Sequence, residues 1–110
     1  MKQCEIWYAD LNPTRGIEQQ GFRPVVIISG NLLNQYLPIV ISCPLTTKIK
    51  AYKGNPVLEP TTQNGLSQKS EIMTFHIRSI SKERLVKKIG SITTAQLNEL
   101  KQGLDDILKY

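Results

Sequence analysis

The chain has 110 residues, enough for one domain (residues 1–110) with a single modest core. Its 40% hydrophobic and 21% charged residues are ordinary for a soluble globular protein, and a net charge of +5 leans toward polyanionic partners without requiring one. The longest apolar runs, 25–28 and 39–41, are too short to cross a bilayer, which excludes a helical membrane span.

Residues 1–6 contain no extended apolar stretch and meet an acid at Glu5, so no signal peptide is expected, and the expected location is cytoplasmic. Cys4 and Cys43 have neither the spacing nor the partners of a metal site. A disulfide between them stays open on sequence; two buried thiols in a reducing compartment is the expectation.

Residues 4–10, with Ile6, Trp7, Tyr8 and Ala9, read as a first strand that Asn12-Pro13 and Gly16 end. Residues 23–29 are a near-continuous β-branched run, expected of a strand buried on both faces. A short helical turn is expected over 30–37 and a third strand over 38–43, followed by a basic loop with Lys48, Lys50 and Lys53. Residues 56–59, fenced by prolines, suit an edge strand, and Asn64-Gly65 is the strongest hairpin signal in the chain. Further strands are expected over 71–77 and 87–91. Strict alternation along the first of these would set Met73, Phe75 and Ile77 on one face and Thr74, His76 and Arg78 on the other.

Short strands at this spacing indicate a small barrel or sandwich rather than βαβ units. The C-terminus then changes period. Thr93 and Gln96 have capping-box spacing, and Leu97, Leu100, Leu104, Ile107 and Leu108 recur at helical intervals, an apolar stripe expected to pack on the barrel. Gly103 costs about 1 kcal/mol against alanine inside a helix and signals close packing.

Two arginines and a glutamate lie between the first two strands, in the segment running from Asp10-Leu11-Asn12-Pro13-Thr14-Arg15-Gly16 through Glu18-Gln19-Gln20-Gly21-Phe22-Arg23-Pro24. Arg23 enters a buried strand, so its backbone is fixed and its planar fork can hold two phosphate oxygens; by residue type alone a surface ion pair with Glu18 or another acid is the favoured reading. Pro44-Leu45-Thr46-Thr47 closes the third strand, where Thr46 offers a hydroxyl to a ligand or to its own turn.

This order of motifs, from Glu5 to the C-terminal helix, resembles the MazF/PemK family of toxin endoribonucleases. The resemblance implies an SH3-like β-barrel with short helices and a C-terminal helix, of the MazF/Kid/CcdB type, and a homodimer. It implies the toxin of a type II toxin–antitoxin system, a metal-independent endoribonuclease cutting single-stranded RNA at a short sequence. Its antitoxin would bind through an acidic, partly disordered segment. The Gly21-Phe22-Arg23-Pro24 and Pro-Leu-Thr matches imply that Arg23 and Thr46 hold the scissile phosphate, with Thr47 where the family often carries serine.

Glu18 is a candidate general base, and Arg15, Gln19 and Gln20 supply donors for RNA. Lys48 and Lys50 are assigned to phosphate attraction. Where family members commonly carry an acid followed by glutamine, this chain has Phe75 and His76. Phe75 cannot be a base; it is core or a stacking platform. Histidine suits acid–base work by type, although alternation would turn His76 away from the missing acid's position. No Gly-rich phosphate loop, zinc site or nucleophile elbow is present in the sequence, so neither cofactor nor metal is expected. Two other readings remain open on sequence: a non-enzymatic gyrase poison resembling the CcdB type on the same barrel, and a passive RNA-binding module.

Overall fold

The computed structural model describes residues 1–11 and 21–109. Strands β1 (Glu5–Asp10), β2 (Phe22–Ile27) and β3 (Ile39–Thr46) lie side by side and antiparallel, with the six-residue helix α1 (Asn31–Tyr36) linking β2 to β3. Beyond β1 lies β7 (Leu85–Ser91). Along the outer edge of β3 lie β5 (Ser70–Ile72) and β6 (Arg78–Ser81), and the two-residue β4 (Val57–Leu58) forms the edge beside β5, as its flanking prolines predict. Helix α2 (Thr94–Lys109) follows β7.

The β-branched run of β2 is buried on both faces. Val26 joins Ile6, Cys43 and Leu45 on one face, closed by Leu58, Ile72 and the helix residues Leu97 and Leu100. Val25 and Ile27 face the other way, into a second cluster with Ala9, Val40, Ile80 and Leu85. Two cores sharing one twisted sheet explain why polar alternation is absent from β2.

Helix α2 begins with both bonds of a capping box: the Gln96 N–H donates to Thr93 Oγ1 at 3.1 Å and the Thr93 N–H to Gln96 Oε1 at 2.8 Å. Leu97, Leu100 and Leu104 pack on the first cluster, but the apolar stripe outruns it, leaving Ile107 and Leu108 exposed, the latter by 80%. Gly103 lies against Gly54; a Cβ there would sit 2.3 Å from the Gly54 carbonyl oxygen, so close packing is its role. Asn64-Gly65 does not make a two-residue hairpin. The Asn64 side chain instead accepts the Thr61 and Leu66 N–H groups and donates to Glu59 O, folding the β4–β5 connection on itself. Both thiols are free; Cys43 is buried, which pushes its pKa up to about 12, while Cys4 is only partly buried rather than buried as expected.

The expectation of one alternating strand over 71–77 fails for an identifiable reason. Leu45 pairs with Ile72 and Ser42 with Arg78, so two residues of β3 (43 and 44) face five of the outer chain (73–77). Five less two leaves three inserted residues, and a 3₁₀ turn occupies Thr74–His76. It sits opposite Pro44, whose carbonyl accepts the Met73 N–H at 2.9 Å. A strand residue points its C=O and N–H to the same side, so the N–H that proline lacks is missing on this very edge. The ladder stops, and the chain bulges outward before resuming as β6.

Candidate active site

Arg23 is exposed at the start of β2, and Thr46 ends β3. Val25 pairs with Pro44, and the same register continued by two residues sets Thr46 against Arg23. The two line one cavity of about 280 Å³ with Thr47 and Lys48. A second cavity of about 340 Å³ shares Thr46 and Lys48 with it and adds Lys50, Tyr52, Phe75 and His76. A third, of about 410 Å³, shares Arg23 with the first and Met73 and His76 with the second, and adds Arg78. The three therefore adjoin around a rim carrying Arg23, Lys48, Lys50 and Arg78, a basic trough between loop 47–55 and the inserted turn. Field lines from these cations add over its floor and favour a polyanion.

Thr46 serves its own turn, its Oγ1 accepting the Lys48 N–H at 3.1 Å, and a hydroxyl that accepts in this way can still donate its own proton. Phe75 is not core: it is 46% exposed, with its ring centroid 5.8 Å from Tyr52, edge-on, and 5.1 Å from His76. The inserted turn brings His76 into the walls of two of the cavities, where plain alternation would have directed it elsewhere. Arg23, Thr46, Thr47, Lys48, Lys50, Phe75 and His76 are thus brought together; Arg15, Glu18, Gln19 and Gln20 lie outside the described residues.

The residue that sequence reasoning missed is Glu71. It is 1% exposed, and its carboxylate accepts the N–H groups of Lys50, Ala51 and Tyr52 at 2.8, 2.8 and 3.1 Å and Asn55 Nδ2 at 2.8 Å. Burial alone would raise its pKa, but the bonds from Asn55 and the three backbone groups outweigh it and hold the pKa below the usual carboxylate value. The loop also binds the inserted turn: Thr74 N–H donates to Asn55 Oδ1 at 2.9 Å and Thr74 Oγ1 to Gly54 O at 3.0 Å. This network holds Ala51 at φ 53, left-handed geometry that costs an alanine about 1 kcal/mol. Loop and turn are therefore one fixed unit, the loop supplying Lys48, Lys50 and Tyr52 to the trough and the turn Phe75 and His76. The only sequence signal was an acid at the start of a strand that continues with Ile72 and Met73. Among the described residues, no group of three or more His, Cys, Asp or Glu side chains is arranged to hold a metal ion.

Residues 2–108 match the family described as PemK-like, MazF-like toxin of type II toxin–antitoxin system. The chain belongs to this family. It is 33% identical over 109 residues to Endoribonuclease MazF9 of Mycobacterium tuberculosis, covering 94% of this chain and 92% of that protein. It is 30% identical over 105 residues to Endoribonuclease EndoA of Bacillus subtilis, covering 94% and 90%. Among solved structures, MazF of Deinococcus radiodurans superposes with a TM-score of 0.80 at 23% identity, covering 100% of this chain and 97% of that one. A mycobacterial endoribonuclease in complex with its cognate antitoxin superposes with a TM-score of 0.80 at 21% identity, covering 98% and 94%. These superpositions bear out the MazF-type, mainly β fold with a C-terminal helix. No helix among the described residues is long and apolar enough to cross a membrane.

Proposed function

We propose that this toxin is an endoribonuclease that cuts single-stranded RNA in the cytoplasm without a metal ion, using Arg23 and Thr46 at the scissile phosphate. The observation that carries the reading is their shared cavity, a guanidinium and a hydroxyl side by side in a basic trough. Glu18 takes the proton from the 2′-hydroxyl, and the 2′-oxygen attacks the phosphorus. Arg23 donates two N–H groups to the non-bridging oxygens and Thr46 one O–H, stabilising the charge that builds on them. The bond to the 5′-oxygen breaks, and His76, which lines two of the adjoining cavities, protonates that oxygen. The products carry a 2′,3′-cyclic phosphate and a 5′-hydroxyl. Phe75 and Tyr52 offer ring faces to a neighbouring base, and Lys48, Lys50 and Arg78 draw in the backbone.

An acidic antitoxin segment lying in the same trough would be held by the same cations and would block RNA. Leu32 and Tyr36 of α1 and Ile107 and Leu108 of α2 are exposed apolar side chains that a second copy of the chain would cover, in keeping with a homodimer. The gyrase-poison reading is not favoured, because a protein-binding poison needs neither Arg23 nor Thr46 and the relatives named above are endoribonucleases.

Incubation with long unstructured RNA in EDTA, followed by sequencing and chemical analysis of the ends, tests the proposal. Discrete cuts leaving cyclic phosphate and 5′-hydroxyl ends are expected; intact RNA, or cleavage only after a divalent metal is restored, rejects it.

A further inference from the structure

A larger cavity, about 510 Å³, lies beside the trough and has no part in the chemistry above. It abuts the Arg23–Thr46 cavity at Pro24, which lines both. Tyr8 pairs with Pro24 on one side and Lys87 on the other, so these three side chains form a row on one face of β2, β1 and β7. Tyr8 is 41% exposed, and its ring stacks on Phe22, centroids 6.3 Å apart and planes 28° apart. Phe22 in turn lines the Arg23–Thr46 cavity. A path of ring faces therefore leads from the scissile-phosphate position to Tyr8.

Gly65, Leu66 and Ser67 of the β4–β5 connection also line it, and the connection is held against β7. The Ser91 N–H donates to Gln63 O at 3.0 Å, and Gly65 and Gly90 press backbone against backbone, a Cβ at Gly65 falling 2.2 Å from Ile89 O. Lys88 is tied to Glu5 at 3.2 Å, whereas Lys87 stands exposed in the row beside Tyr8. A rigid slot with an aromatic floor and a lysine at its rim has the chemistry for one nucleotide, its base on the ring and its phosphate at the ammonium.

We propose that this cavity is a second RNA subsite, holding a nucleotide flanking the cut, with Tyr8 as stacking platform and Lys87 as phosphate contact. The inference rests on the endoribonuclease reading and extends it. It also makes the bound stretch of RNA longer than the trough alone spans.

The test is binding of a long single-stranded 2′-O-methyl RNA of mixed sequence, which cannot be cut, compared with a trinucleotide. Tyr8→Ala should weaken the long RNA about ten-fold more than the trinucleotide, with Tyr8→Phe restoring most of it. Lys87→Ala, at an exposed position, should lower the salt slope for the long RNA by about 0.7. Equal losses on both ligands, or none in either variant, overturn the subsite. If the parent protein binds RNA through Tyr8 but cuts none, the endoribonuclease reading falls while the subsite stands. If it cuts RNA and both variants bind as the parent does, the subsite alone falls.

Discussion

Pro44 accepts the Met73 N–H at 2.9 Å and has no N–H to return, and this one-sided contact decides what the site contains. Three residues, Thr74–His76, leave the ladder beside it. Thr74 turns inward to the Gly54 carbonyl, and Phe75 and His76 turn out over the trough. A strand-breaking proline thereby supplies an imidazole and a ring face where the family commonly has an acid and an amide.

His76 as the acid predicts a leaving-group dependence. His76→Ala should slow cleavage of ordinary RNA by about 100-fold or more. With sulfur in place of the 5′-oxygen, a leaving group that needs no proton, the variant should approach the parent rate. Glu18→Gln should slow both substrates alike, since the 2′-proton must be removed in either. An equal loss on both substrates for His76→Ala would assign the histidine to binding.

Glu71 makes stability depend on pH in a defined direction. Its folded pKa lies below the ordinary value of 4.5, so its contribution is full above that value and disappears as pH falls through the lower folded pKa. Glu5, whose pKa is also lowered despite burial by bonds from Trp7, Lys2 and Lys88, acts in the same sense. Melting temperature should therefore drop as the medium is acidified below about pH 4.5, and less steeply in Glu71→Gln. Glu71→Ala, which strands three backbone N–H groups and Asn55, should cost about 3 kcal/mol and loosen Lys48 and Lys50, read as weaker RNA binding.

Gly103→Ala sets two effects against each other. Alanine gains about 1 kcal/mol of helix propensity, but its Cβ would meet the Gly54 carbonyl oxygen at 2.3 Å, backbone with no rotamer to yield. The clash should win, lowering the melting temperature; a rise would show that α2 can shift away from Gly54.

The central strands and the capping box at Thr93 were legible in the sequence because each depends on residues within a few positions of one another; Gly103 signalled close packing, but its partner, Gly54, lies far away in the chain and only the fold names it. Arg23 and Thr46 could be named from their motifs, but their opposition across β2 and β3 is a register, which only pairing defines. The inserted turn was hidden because its cause, Pro44, lies on a different strand from its effect, Thr74–His76. Glu71 was hidden for a related reason: its partners are backbone N–H groups some 20 positions away, and backbone donors leave no mark on composition. The exposed end of the α2 stripe marks where helical period alone overstates burial.

The placement of the scissile phosphate is tested most directly by the single-turnover cleavage rate of Arg23→Lys, Thr46→Val and the double variant on one RNA. Each single change should cost about 100- to 1,000-fold, since lysine keeps the charge but loses the two-point fork and valine loses the hydroxyl. If the two groups stabilise one transition state together, the double variant should be little slower than either single one. Cleavage at the parent rate by Arg23→Lys or Thr46→Val would contradict the placement of the scissile phosphate between them.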